Sequence, residues 1–218
     1  MNLDLQRAAG LARLEKFAEK QAELVGQGWR IRETETALGE ERTLPGREGK
    51  LKCFSIGLDG FWVQGRADRI DEHAEHGLRV IDYKTGQEQD AAAAHLAGGR
   101  RAIFQRSPEY VRFQRADRRG RMGPVCWTNL QLPLYVEGVA GEGRPAQAGY
   151  FYLGEDLEKI GWTELALTKE ERDSARHCAR EAAQEYRADA VLDWIREGKW
   201  ERLAVKVNYD DFEEMGLG

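Results

Sequence analysis

The sequence predicts a single mixed α/β domain, and three observations carry that expectation. A chain of 218 residues with 41% hydrophobic content buries one substantial core and leaves little for a second. Apolar spacing switches from helical to alternating and back, in the order helix, several strands, helix, strand pair, helix. Neither an internal repeat nor a long linker divides these segments, so residues 1–218 are expected to form one domain.

The first element spans Leu3 to Val25, where Leu11, Leu14, Phe17, Ala18 and Leu24 recur at roughly helical spacing before Gly26 and Gly28 close the run. Trp29 to Thr36 then reads as a strand, and Leu44-Pro45-Gly46 as a turn. Two further strands are expected around Leu51 to Ile56 and Phe61 to Ile70, separated by the hairpin signal Asp59-Gly60, and a short one from Leu78 to Tyr83. After Gly86 the pattern weakens through an alanine run and an arginine-rich stretch. A helix is expected to resume near Thr128, with Pro133 in its first turns. Ala146 to Leu153 and Ile160 to Leu167 read as a strand pair. Thr168-Lys169-Glu170-Glu171 forms a capping box for a helix to about Glu197, ahead of a short irregular tail.

Composition narrows the setting. No apolar run is long enough for a membrane span, and Met1-Asn2-Leu3-Asp4 does not open a signal peptide, so a cytoplasmic protein is expected. Cys53, Cys126 and Cys178 lie far apart without a C-x-x-C pair, which argues against a disulfide scaffold, a zinc ribbon or an iron–sulfur cluster and for reduced, buried thiols. The net charge of -5 is unevenly spread. Between Arg100 and Arg121 eight arginines face only Glu109 and Asp117, a local excess of +6 on a body carrying -11.

The chemistry concentrates in Gly65-Arg66-Ala67-Asp68-Arg69-Ile70-Asp71 and Val80-Ile81-Asp82-Tyr83-Lys84-Thr85-Gly86. An antiparallel hairpin around the polar loop Glu72 to Gly77, with its turn centred at residue 75, sets Asp68 directly across from Asp82. Lys84, two residues beyond Asp82, projects from the same face. Two carboxylates this close repel unless a cation compensates, and oxygen ligands with open positions suit Mg²⁺ or Mn²⁺. Such a metal polarises phosphate oxygens and acidifies bound water, which Lys84 would orient or help deprotonate. The plainer alternative is a cross-strand Asp68–Lys84 salt bridge with Asp82 beginning a turn.

These two stretches, together with Gln131-Leu132-Pro133-Leu134-Tyr135, resemble in order the three C-terminal motifs of RecB-like nucleases of the PD-(D/E)XK superfamily: G-x-x-D-R-[IV]-D, D-[YF]-K-T-G and Q-L-x-x-Y. The resemblance covers roughly Trp29 to Leu153. It implies a restriction-endonuclease-like core, a central mixed sheet flanked by helices, and Mg²⁺-dependent hydrolysis of DNA phosphodiesters, with exonuclease action on single strands or duplex ends favoured. It implies Asp68 and Asp82 as metal ligands joined by the carbonyl of Tyr83, and Lys84 as the catalytic lysine. Gln131 and Tyr135, one helical turn apart, would buttress the site and contact the substrate strand, or simply pack helix on sheet. Glu35 matches an acidic residue often found in such proteins and would be a further ligand, or a solvated strand-edge glutamate. Asp71 is expected to pair with Arg69 or cap the loop.

The sequence departs from the family in two respects. It has no histidine in the helix upstream of the first strand, and no four-cysteine iron–sulfur staple. His73 and His76 fall in the expected hairpin loop and read as solvated. The basic segment, about 97–124, is longer than the usual connection. Its Arg100, Arg101, Arg106, Arg112, Arg115, Arg118 and Arg119, interleaved with Phe104, Tyr110 and Phe113, suit a groove that holds phosphates and stacks bases. The alternative is that these arginines pair with the acidic body. With no G-x-x-x-x-G-K-[ST] loop, any ATP-driven unwinding must come from a helicase or recombination partner. The rival to a DNA-repair or recombination nuclease is an inactive DNA-binding or scaffold module of the same fold, which usually loses one of the aspartates or the lysine.

Overall fold

The computed structural model describes residues 3–43, 49–58, 61–86, 90–99, 101–117, 119–140 and 145–187. The expected turn at Leu44-Pro45-Gly46, the Asp59-Gly60 signal, Arg100, Arg118, the helix beyond residue 187 and the C-terminal tail lie outside those residues. In chain order the elements are α1 (Leu3–Gly26), β1 (Arg30–Ala37), β2 (Glu40–Arg42), β3 (Leu51–Ser55), β4 (Trp62–Val63), β5 (Arg66–His73), β6 (Gly77–Lys84), α2 (Ala91–His95) and β7 (Leu96–Gly98). They continue with α3 (Ala102–Arg106), β8 (Arg112–Ala116), β9 (Met122–Trp127), α4 (Gln131–Ala140), β10 (Ala146–Tyr152), β11 (Gly161–Glu164) and α5 (Lys169–Arg187). The chain divides into two compact units, one of Met1–Phe54, Val63–Ala91 and Tyr135–Ala166, the other of Ser55–Trp62, Ala92–Leu134 and Leu167–Gly218.

The first unit is built on a five-stranded sheet in the order β1-β5-β6-β10-β11. Only the β6–β10 pair is parallel; β1–β5, β5–β6 and β10–β11 are antiparallel. This is the mixed sheet flanked by helices that the motifs imply. Its central strand β6 is buried from Gly77 to Asp82, which explains why Leu78, Val80 and Ile81 read as a short apolar run. Against one face lies α1, whose Phe17 and Leu24, seven residues apart and so on one side of the helix, pack on Ile81, Phe151 and Ile160. Full burial of a side chain such as Ile81 or Phe151 stabilises the fold by about 1.5–3 kcal/mol. Leu11 and Leu14, expected in the same apolar stripe, stay exposed at 52% and 62%.

The β5–β6 hairpin is tighter than the Glu72–Gly77 loop expected, because both strands extend to the His73–Gly77 pair. His73 Nδ1 accepts from the backbone N–H groups of Glu75 and His76, and His73 Nε2 lies 2.9 Å from the carbonyl of Gln27. Gly77 closes the turn at φ 80°, where a Cβ would meet the Pro145 carbonyl oxygen at 2.1 Å. The strand expected from Phe61 to Ile70 breaks at Gln64-Gly65, where the Gly65 carbonyl accepts from Leu38 N–H.

In the second unit the arginine-rich stretch, which carries no clear pattern in the sequence, forms a three-stranded antiparallel sheet in the order β7-β9-β8. Arg112 to Ala116 alternates exposed and half-buried side chains, with Phe113 turned inward and stacked on Trp127 at 5.1 Å. Pro124 argues against a central strand, yet it is accommodated in β9 opposite Gln114 of β8, with its carbonyl accepting from the Gly99 N–H just past the end of β7 at 2.8 Å. The capping box forms as expected: Thr168 N–H donates to Glu171 Oε2 at 2.9 Å and Glu171 N–H donates to Thr168 Oγ1 at 3.2 Å. Cys53, Cys126 and Cys178 are buried and free of disulfides. Among the described residues no helix is long and apolar enough to cross a membrane.

Candidate active site

The β5–β6 ladder runs from Arg69–Ile81 to His73–Gly77, and its next step sets Asp68 opposite Asp82, as the turn centred on residue 75 requires. Asp68 Oδ2 accepts a 2.9 Å hydrogen bond from the backbone N–H of Tyr83, tying the first carboxylate to the peptide that follows the second. The Asp82 side chain is 9% exposed and that of Lys84 is 44% exposed, so the lysine reaches inward from solvent to place Nζ 2.6 Å from Asp82 Oδ2. The ion pair is therefore Lys84–Asp82, where a salt bridge from Lys84 to Asp68 was the plain alternative. The ammonium partly offsets the cost of burying the Asp82 charge.

Sequence reasoning missed the third wall of this site. The parallel β6–β10 ladder sets Tyr150 against Asp82 and Tyr152 against Lys84. Tyr150 is buried, and Lys84 Nζ lies 5.2 Å from its ring centroid. Burial, with the Asp82 charge and then Tyr152 adding to it, holds the Tyr150 phenol above its ordinary range. The alternation Tyr150-Phe151-Tyr152 is visible in the sequence, but nothing local in it announces a parallel pairing with β6.

The reverse face of the same strands carries a second set of charges. Arg69 Nη2 donates to Asp71 Oδ2 at 2.6 Å with both side chains buried, which matches the expected pairing of Asp71 with Arg69. Arg69 Nη1 reaches Gln21 of α1 and donates to the Tyr83 hydroxyl at 3.1 Å. Arg79, opposite Asp71 in the ladder, lies between the rings of Trp29 (3.7 Å) and Trp162 (4.5 Å). Its Nε and Nη1 have no hydrogen-bond partner among the described residues. Burial draws the Arg79 guanidinium down to about 10, against the opposing pull of Asp71 and Glu164. The rings of His73 and His76 lie 4.4 Å apart, tilted by 32°, beside Trp29, at a hairpin tip whose residues Ala74, Glu75 and His76 are exposed, in keeping with the solvated loop expected.

The remaining candidates fall as follows. Glu35 lies between Thr34, paired with Arg69, and Thr36, paired with Ala67, and so one strand over from Asp68. Its backbone is left-handed at φ 48°, a conformation that costs a non-glycine residue energy, and its exposed carboxylate lies 3.3 Å from Arg66. Gln131 and Tyr135 both lie on α4, whose first N–H, that of Gln131, donates to Asn129 Oδ1 at 2.8 Å. The ring of Tyr135 lies where a Cβ on Gly65 would be, 2.8 Å from Cε1, so the first glycine of one motif makes room for the tyrosine of another. In the arginine-rich sheet, Arg115 pairs with Glu171 at 2.9 Å. Arg112 donates to the carbonyl of Ser107 and faces Phe104 at 5.0 Å, while Tyr110 donates to Glu185 at 2.7 Å. Arg101, Arg106 and Arg119 are exposed.

No group of three or more His, Cys, Asp or Glu side chains arranged to hold a metal occurs among the described residues. A cation at Asp68 and Asp82 would thus have two carboxylates, a backbone carbonyl and water. No curated protein matches the chain. A family model described as the PD-(D/E)XK nuclease superfamily matches residues 2–209.

Proposed function

Since the chain belongs to the PD-(D/E)XK nuclease superfamily, we propose that it is a divalent-metal-dependent deoxyribonuclease that acts as an exonuclease on single strands or duplex ends. The observation that carries this reading is the convergence of Asp68, Asp82 and Lys84 at the end of the buried strand β6. The donor set fits Mg²⁺ or Mn²⁺: it is all oxygen, too small to enclose an ion, and one of its carboxylates already attracts a cation in the form of Lys84. Asp68, Asp82 and the Tyr83 carbonyl would hold the ion, with Glu35 able to join if its side chain leaves Arg66. When bound, the ion supplies Lewis acidity toward the scissile phosphate and acidifies its own water.

The chain's residues do the rest. Asp68 and Asp82 fix the ion on one face of the sheet, and Lys84 orients the attacking water and neutralises charge that develops on the phosphate. Gln131 and Tyr135 would contact the substrate strand. Arg101, Arg106, Arg112 and Arg119 supply phosphate contacts, so binding should weaken steeply with salt.

The test is cleavage of end-labelled single- and double-stranded DNA by the wild type and by Lys84→Ala, with Mg²⁺, with Mn²⁺ and with EDTA. Metal-dependent products absent in the variant support the reading, and their ladder gives the polarity. DNA that is bound but never cut would replace it with the inactive-scaffold reading.

A further inference from the structure

Lys84 and a metal ion have a common claim on Asp82 Oδ2. The ammonium now lies 2.6 Å from that oxygen, and a cation that takes Oδ2 would displace it, so a working Lys84 then needs a second seat that keeps it at the site. The ring of Tyr150 is placed for this. It stands opposite Asp82 in the parallel ladder, two residues before Tyr152, which stands opposite Lys84, so all four side chains share one face. The ring centroid is 5.2 Å from Lys84 Nζ, within the roughly 6 Å over which an aromatic face attracts an ammonium. Burial at 1% exposure and the edge-on contact of Tyr152 at 5.8 Å keep the ring from turning away.

We propose that Tyr150 is a positioning residue, whose ring face holds the Lys84 ammonium at the reaction centre when a divalent cation occupies Asp82. The inference rests on the nuclease reading for its kinetic consequence but not for its structural one. It requires an aromatic face at position 150, whereas the phenol hydroxyl takes no part in holding Lys84.

The test compares wild type with Tyr150→Phe, Tyr150→Leu and Tyr150→Met, the last two filling the space without a ring. The Lys84 ε-methylene resonance, assigned by its loss in Lys84→Ala, is followed by ¹H–¹³C NMR during Mg²⁺ titration. An upfield ring-current shift in wild type and Tyr150→Phe that persists with Mg²⁺ and is lost in Tyr150→Leu or Tyr150→Met supports the proposal. With DNA, kcat in the ringless variants should fall about three- to tenfold at unchanged KM and Mg²⁺ affinity, while Tyr150→Phe retains most of the rate. A Lys84 resonance indifferent to the ring overturns it, as does a Tyr150→Phe variant as slow as Tyr150→Leu or a loss confined to Mg²⁺ affinity. If the wild type cuts no DNA the nuclease reading fails, and the NMR comparison still decides whether Tyr150 seats Lys84.

Discussion

Replacing Asp71 by alanine should unfold a large share of the protein's stability without touching the proposed catalytic face. Asp71 is 0% exposed, receives Arg69 Nη2 at 2.6 Å and stands opposite Arg79, itself 7% exposed. The substitution leaves two buried guanidinium groups without the anion they share. Breaking a buried pair from one side costs about 3–5 kcal/mol, a large part of the 5–15 kcal/mol that holds a typical domain. With a urea m-value of about 2 kcal/mol/M, the unfolding midpoint followed by circular dichroism should drop by about 1.5–2.5 M. The double replacement Arg69→Met with Asp71→Leu removes one pair and should recover part of that loss, because well-packed apolar groups replace a buried pair at little net cost while Arg79 stays buried without Asp71. A single-variant loss below about 1 kcal/mol, or a double variant no better than the single, would refute the account of this cluster as a compensated buried charge set.

Three further outcomes are expected. Burial pushes the Cys178 thiol from 9.0 up to about 12, so its contribution is complete below pH 9 and is lost as pH rises toward 12. By pH 10 about 1.4 kcal/mol should be gone, and urea unfolding at pH 8 and pH 10 should show a smaller drop in Cys178→Ala. Thr168→Ala should cost about 1 kcal/mol by removing the α5 cap, and Glu171→Ala more, since Glu171 also receives Arg115; equal losses in thermal unfolding would count against this. Gly65→Ala should cost about 1–3 kcal/mol by crowding the Tyr135 ring. Combined with Tyr135→Ala, its effect should be less than additive, and simple additivity would show that the two do not meet.

The hairpin at the centre of the site was legible because its register depends on counting alone. A turn centred on residue 75 fixes Asp68 against Asp82, and a one-residue slip of β6 would carry Asp82 to the face that holds Ile81. The capping box at Thr168 was equally local. Tyr150 was not legible, because a parallel pair is joined through a long crossover and leaves no signal at either strand. The arginine-rich sheet was hidden by its composition, since arginine has no strong strand preference and Pro124 argues against a strand. The division into two units was also invisible, because the chain crosses between them five times and one crossing falls inside the continuous helix α4, between Leu134 and Tyr135.

Strand β1 ends the main sheet, and among the described residues its outer row of backbone groups has no ladder partner. Its side chains are mostly exposed and rich in charge, with Arg30, Arg32, Glu33 and Glu35 along eight residues, and the ladder shifts register between Ile31 and Glu33. A second, identical edge arriving antiparallel would meet an irregular line and would have to strip water from charges on both sides. The protein thus guards itself against stacking into filaments at the strand that neighbours Asp68. Making β1 smooth and apolar, with valine at Arg30, Arg32 and Glu35, should make the protein aggregate at its own sheet edge.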